Sequence, residues 1–248
     1  MQQVQKSYDL AGRKIFFGLP AYDFKIAVKT ATSLLRFAMA AQQHGIQIQI
    51  GSICGCSVVS KARNSIVADF LESDCTDLMF IDSDITFEPE AIFRLMAWAI
   101  DPKKGIVAAI PVSRKPGKTF ISTLDTDEDS NIVMNGMGLV RGTRAATAFM
   151  LIQRKVLTDL DAAHPEWEYW DEKSQKKQKS FFDFKSTPTG YIGEDYLFCD
   201  RAREHGYEVW IDPTIKLGHL GLMEFEGCLG EDYLYPLLAP LDSKKEAA

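Results

Sequence analysis

Apolar residues along the chain come in short bursts whose spacing switches between that of a strand and that of a helix. Residues 13–20 form an apolar run behind a polar leader, closed by Gly18 and Pro20, and predict a first strand. Over 26–44 the spacing turns helical, with Leu34, Leu35, Phe37 and Ala38 followed by Ala41, and Gly45 is a natural stop. Ile46, Ile48 and Ile50 then alternate with Gln47 and Gln49, the period of a strand. A second helix is predicted over 58–72 and a buried strand over 78–82, which runs straight into acid. Pro89 suits the first turn of a helix over 90–100, and 105–111 reads as another buried strand. This alternation predicts an α/β fold with a mostly parallel central sheet flanked by helices on both faces. Such sheets bind ligands beyond the carboxyl ends of their strands, which here are 20–22 and 82–84.

The second half changes character and predicts a smaller, mixed region. Residues 125–131 are turn-formers between two extended segments, and 147–152 is a strand. The charged run over 168–179, with Lys176, Lys177 and Lys179, reads as a mobile surface loop. A helix over 194–205 is closed by Gly206, and a strand follows at 207–211. Beyond Gly221 the pattern fades into a tail containing Pro236 and Pro240. With no linker and no long repeat, 1–248 reads as one domain.

Composition narrows the function classes. Lys plus Arg is 28 against 34 Asp plus Glu, a net charge of −6 in 248 residues, which argues against a generally basic nucleic-acid coat. No apolar run approaches the roughly 18 residues of a membrane helix, and residues 1–9 are polar, without the core of a signal peptide. Five cysteines cannot all pair and none lies in a CxxC pair, so reduced thiols in the cytoplasm are expected.

The most telling chemistry is Asp82-Ser83-Asp84 at a strand end. Residues i and i+2 of an extended chain face the same side, and paired carboxylates there suit Mg²⁺ or Mn²⁺. Gly193-Glu194-Asp195 puts two acids at a helix start, where one can serve as general base to an acceptor hydroxyl. Gly230-Glu231-Asp232 repeats the pattern, but Pro236 and Pro240 deny it a long helix, so the first copy is the better candidate. His219, between Gly218 and Leu220-Gly221, can offer a neutral ring nitrogen to a cation. Arg63 presents a planar fork suited to phosphate, and Lys115 and Lys118 are further phosphate candidates. His44, His164 and His205 read as surface residues. Gly117-Lys118-Thr119 lacks the first glycine of a P-loop, Gly136-Met137-Gly138 lacks the third of a dinucleotide fingerprint, and no GxSxG elbow is present.

In order along the chain, Gly18-Leu19-Pro20, Lys61-Ala62-Arg63-Asn64, the strand into Asp82-Ser83-Asp84, the strand at 147–152, Gly193-Glu194-Asp195 and Gly218-His219 resemble a nucleotide-sugar glycosyltransferase of the GT-A (Rossmann-like) fold. The nearest flavour is the compact family-two-like enzymes of phages and bacteria, and the resemblance runs from about Arg13 to Gly221. It implies a donor-binding half over about 13–124, an acceptor and catalytic half over about 125–221, and a tail over 222–248. It implies that Asp84 binds a Mn²⁺ or Mg²⁺ bridging the donor diphosphate, with His219 completing the shell and Asp82 on ribose, sugar or metal. Pro20, Tyr22 and Arg63 would line the nucleotide site, with Ser83 and Lys115 as further donor contacts. Asp195 would be the base of an inverting transfer and Glu194 would hold hydroxyls.

The reaction so implied is sugar transfer from a nucleotide sugar, a UDP-sugar being the expected donor, to a hydroxyl of a saccharide or of a hydroxymethylated DNA base. A Mg²⁺-dependent nucleotidyltransferase and a non-catalytic sugar- or nucleotide-binding module are the alternatives. The 173–185 region is a candidate basic edge for DNA, and the apolar tail around 234–241 a candidate oligomer surface.

Overall fold

The computed structural model describes residues 10–238 apart from Pro116 and Leu222. Its first half follows the predicted alternation closely: β1 (Lys14–Ala21), α1 (Val28–Gln43), β2 (Gln47–Cys54), α2 (Val59–Glu72) and β3 (Asp77–Ile81). A two-residue β4 (Ile85–Thr86) precedes α3 (Pro89–Trp98), which carries its proline in the first turn, and then come β5 (Ile106–Ala108) and β6 (Ser122–Leu124). Further along are β7 (Val140–Ala145), β8 (Phe149–Gln153), α4 (Arg154–Ala163), β9 (Glu168–Asp171), β10 (Lys176–Lys179), β11 (Lys185–Thr187) and β12 (Gly190–Ile192). The chain closes with α5 (Glu194–Glu204), β13 (Val209–Ile211), β14 (Lys216–Leu220), β15 (Glu224–Cys228) and a one-turn α6 (Tyr235–Leu238).

Eight strands form the central sheet in the order β2-β1-β3-β8-β5-β13-β7-β6. The ladders β1–β2, β1–β3 and β5–β13 are parallel, and β8 and β7 are each antiparallel to both neighbours. Six strands therefore run one way and only β8 and β7 the other, the mostly parallel arrangement expected. Side chains alternate between two cores. Phe16, Leu78, Phe80, Met150 and Ile152 pack beneath α2, α4 and α5, where they meet Ile66, Phe70, Leu157 and Phe198. Ile15, Phe17, Met79, Ile81 and Leu151 face the other way, onto Leu34 and Phe37 of α1 and Ile92 and Leu95 of α3. All these side chains are buried, each contributing roughly 1.5–3 kcal/mol of transfer free energy. Gly18 is what lets α2 sit so close to β1, since a Cβ there would lie 2.6 Å from Ile66 and 3.1 Å from the Phe80 ring.

Two expectations are corrected. The charged run over 168–179 is not a mobile loop but the hairpin β9–β10, pinned by the Lys177–Glu168 pair across the strands and by buried Gln178, which accepts from Tyr169 Oη at 2.8 Å. In the tail, Leu234 is fully buried in the core beneath α5, so it cannot face a partner. Residues 235–238 are exposed, and the rest of the proposed oligomer surface, including Pro240 and Leu241, lies outside the described residues. No helix among the described residues is long and apolar enough to cross a membrane.

Candidate active site

The carboxyl ends of β1 and β3 open into a cleft of about 500 Å³, within the range of small-molecule sites. Pro20 and Tyr22 line it from the end of β1, Arg63 from α2, and Asp82, Ser83 and Asp84 from the end of β3. Six residues singled out from sequence thus meet in one place. Arg114 also lines the cleft, whereas its neighbour Lys115 is exposed on the loop beside it.

Asp84 and His219 are brought together by backbone pairing. β4 begins one residue after Asp84 and pairs antiparallel with β14, setting His219 opposite Ile85 and Gly218 opposite Thr86. The Leu220 N–H donates to the Asp84 carbonyl at 2.8 Å. Gly218 is needed for this approach, because a Cβ there would fall 2.2 Å from Thr86 Oγ1. His219 Nε2 lies 3.6 Å from Asp84 Oδ2, and Arg114 Nη1 donates to the same oxygen at 2.8 Å. Burial works against charge on Asp84, but His219 and then Arg114 outweigh it and hold the carboxyl below its ordinary range. Burial likewise works against the imidazolium, but Asp84 and the Val112 carbonyl raise the His219 pKa.

The donor set fits a divalent cation. His219 Nδ1 donates to the Val112 carbonyl at 2.8 Å, which leaves Nε2 as the ligating nitrogen of the neutral ring, beside a carboxylate oxygen. Among the described residues no three His, Cys, Asp or Glu side chains are gathered as a closed shell. A cation on this pair would take its remaining ligands from water or from a bound phosphate, as Mg²⁺ commonly does.

Arg63 joins this cleft to α5. Its Nε donates to Glu194 Oε1 at 3.2 Å, Nη2 lies 3.7 Å from Asp82 Oδ1, and the guanidinium sits over the Phe80 ring. The side chain is buried and its Nη1 has no hydrogen-bond partner. A buried donor left unpaired costs roughly 1–3 kcal/mol, more when charged, so this nitrogen is suited to an anionic or hydroxylated ligand in the cleft it lines. The flanking residues fix α2 in place. Lys61 pairs with Asp171 at 2.5 Å, and the Asn64 amide bonds both backbone groups of Phe182, at 2.9 and 2.8 Å.

Asp195 follows Glu194 at the head of α5, with Gly193 as the N-cap. Burial, reinforced by the Glu194 charge, pushes its pKa up to about 6, against the pull of the Tyr196 N–H and of Arg63. A carboxyl with a pKa there can take up or release a proton near neutral pH. The second acidic copy is built differently. Asp232 accepts from the Cys228 N–H at 2.8 Å and pairs with Lys118 at 2.5 Å, so it closes the turn after β15. Lys118 is thereby engaged away from the cleft lining. The proposed basic edge is largely neutralised, with Lys176 on Glu72, Lys177 on Glu168 and Lys179 on Asp161.

No protein-family model matches the chain, and no curated protein does. Solved structures do. A197 from STIV superposes with a TM-score of 0.52 at 16% identity, over 84% of this chain and 86% of A197. GalNAc-T7, crystallised with UDP, GalNAc and Mn²⁺, also superposes with a TM-score of 0.52, at 10% identity, over 84% of this chain and 44% of its own. The likeness is one of fold, and that fold is GT-A-like, an α/β sheet flanked by helices as the sequence resemblance implies.

Proposed function

We propose that this chain is a metal-dependent glycosyltransferase that moves a sugar from a nucleotide-sugar donor, a UDP-sugar in the first instance, to an acceptor hydroxyl. The observation that carries the reading is the meeting of Arg63, Asp82, Asp84 and His219 around one cleft at the strand ends, with Glu194 tied to it through Arg63 and Asp195 next in sequence at the head of α5. A GT-A-like neighbour crystallised with UDP, GalNAc and Mn²⁺ supports the donor class and the metal.

In this reading Pro20 and Tyr22 flank the nucleotide, and Arg63 Nη1 bonds the donor, relieving its unpaired state. Asp82 and Ser83 orient ribose or sugar hydroxyls, and Arg114 and Lys115 meet the diphosphate. Asp84 and His219 would hold Mn²⁺ or Mg²⁺, whose charge offsets that developing on the departing diphosphate. Asp195 accepts the proton of the acceptor hydroxyl as that oxygen attacks the anomeric carbon, and the nucleoside diphosphate leaves with the electron pair of the broken bond. Glu194, held by Arg63, positions the acceptor. A saccharide is the favoured acceptor over DNA, because the overall charge is −6 and the basic edge is paired. The donor-binding role falls to about 13–124 and the acceptor role to about 125–221 of a single domain.

The test is a thermal-shift panel of nucleoside diphosphates, triphosphates and nucleotide sugars, each with Mn²⁺, Mg²⁺ or chelator. A metal-dependent rise in Tm with UDP and one UDP-sugar is expected. A shift confined to a triphosphate points to nucleotidyl transfer, and no shift with any nucleotide sinks the reading.

A further inference from the structure

Helices α4 and α5 end side by side, each with a histidine as its C-cap: His164 after α4 and His205 after α5. Their Nε2 atoms are 3.0 Å apart, with ring centroids 4.7 Å apart and ring planes at 74°. The opposite nitrogens settle the tautomers. His164 Nδ1 faces the carboxylate oxygen Oε1 of Glu166 at 2.6 Å, and the carboxylate accepts its hydrogen. His205 Nδ1 faces the Arg201 carbonyl at 2.9 Å, which can only accept. Both Nδ1 atoms therefore carry hydrogen, and in the neutral rings both Nε2 atoms present lone pairs to one another. Two such lone pairs at 3.0 Å repel unless a cation lies between them.

We propose that His164 and His205 form a bis-histidine site for a transition-metal dication of the Zn²⁺ class, separate from the Asp84–His219 pair. Metal–imidazole bonds of about 2.0–2.1 Å span a 3.0 Å nitrogen separation with a bite close to a right angle, and imidazole suits Zn²⁺, Cu²⁺ and Ni²⁺. Each ring already has the outer partner that metal-bound histidines use, a carboxylate for one and a backbone carbonyl for the other. Two helix C-termini add partial negative charge. His164 is braced by stacking on Trp167, with centroids 3.7 Å apart. Arg201, the nearby cation, lies over the Trp167 ring and donates from Nη1 to the Ser180 and Phe181 carbonyls. His205 is exposed, so water or an incoming group can fill the remaining coordination positions. The bound ion would clamp the end of α4 to the end of α5, the helix that opens with Glu194 and Asp195.

The test is isothermal titration of the full chain with ZnCl₂, beside His164→Ala, His205→Ala and Glu166→Ala. The wild type is expected to bind one equivalent more than either histidine variant. Glu166→Ala should keep that equivalent with affinity lowered about 10-fold or more, as loss of an outer partner does. Imidazole ¹⁵N shifts of the wild type supply a reading that needs no variant: the Nε2 resonances of His164 and His205 should move together on adding Zn²⁺. Equal stoichiometry in the wild type and both histidine variants, loss in only one of them, or unmoved ¹⁵N resonances would overturn the proposal.

Discussion

Arg63 and Glu194 are 131 positions apart in sequence and 3.2 Å apart in space, both buried. The same guanidinium faces Asp82 across 3.7 Å, so a single side chain spans from the DxD acids to the head of α5. In the proposed reaction this makes donor and acceptor sides share one positive charge. It also makes Arg63 the residue whose loss is felt on both.

Arg63→Ala leaves Glu194 buried without its partner, and breaking a buried pair from one side costs roughly 3–5 kcal/mol. Arg63→Lys keeps the charge but not the fork, and should fold while losing donor affinity about 10-fold or more. Urea melts of both variants, with nucleotide titrations of the lysine form, check this. Equal donor affinity in Arg63→Lys and wild type would remove Arg63 from the nucleotide site.

Asp195, with its pKa near 6, predicts a pH profile for transfer. The base must be ionised, so kcat should fall as pH drops through about 6 and level off above it. Asp195→Asn should spare donor binding and lower transfer by roughly 10²–10⁴-fold. The same raised pKa has a stability consequence of opposite sense. Ionisation is easier in the unfolded chain, so the folded state is favoured below the ordinary carboxylate pKa and loses that advantage as pH rises through 6. Asp195→Asn should therefore raise Tm at pH 7.5 and leave it nearly unchanged at pH 4.

Arg114 and a cation compete for the same oxygen, since Arg114 Nη1 already donates to Asp84 Oδ2. The pair is partly exposed and worth about 1 kcal/mol or less. Arg114→Ala should bind Mn²⁺ alone up to about 5-fold more tightly, yet bind the nucleotide sugar less well because a diphosphate contact is gone. Calorimetry with Mn²⁺ and then with UDP separates the two effects. Asp84→Ala and His219→Ala should each remove the Mn²⁺ dependence of donor binding.

Asp232 offers the contrast to Asp195. Burial works against its charge, but Lys118 and the Cys228 N–H outweigh burial and lower its pKa. Its contribution is present above the unfolded carboxylate pKa and is lost as pH falls through the lowered folded value. Asp232→Asn should cost about 1 kcal/mol at neutral pH and leave transfer intact. If Asp232→Asn abolishes transfer while Asp195→Asn does not, the assignment of the base is reversed.

What could be read from sequence and what could not divides by locality. The strands around Phe17 and Met79 announce themselves because each is buried on both faces and flanked by helical spacing. Five of the six cleft residues are legible because β1 and β3 place them at their carboxyl ends, and the sixth, Arg63, because it lies on the predicted helix α2. α4 passes unannounced: it follows Gln153 of β8 directly, with no capping side chain to mark its start, although Val156, Leu157 and Leu160 carry its apolar face. The β9–β10 hairpin hides behind lysines that are neutralised by distant acids, Glu72 among them. Arg114 lies in a loop where no period says which of 114 and 115 turns inward. The His164–His205 meeting depends on two helices ending together, which no local pattern encodes.

The β4–β14 pairing is the least legible element and the one on which the proposed metal pair depends. β4 is only two residues long, and its partner lies more than 130 positions later. Gly218 admits Thr86 because it has no Cβ; alanine there would place one 2.2 Å from Thr86 Oγ1 and 2.7 Å from Glu224 Oε1. Glu224 can swing, as the end of a flexible side chain, but Thr86 sits in the ladder and its γ-branch has little freedom. Gly218→Ala should therefore part β4 from β14 and carry His219 away from Asp84 while the central sheet stays intact. The expected result is a stability loss on the order of 1–3 kcal/mol from overpacking, seen as a lower Tm, together with loss of the Mn²⁺-dependent part of donor binding. Pairing Gly218→Ala with Thr86→Ser separates space from chemistry. Serine keeps the hydroxyl and drops the methyl that fixes the rotamer, so the hydroxyl can turn aside. Recovery of metal-dependent binding in the double variant would show that the clash alone displaced His219, and no recovery would mean that β14 is held by something other than its fit to Thr86.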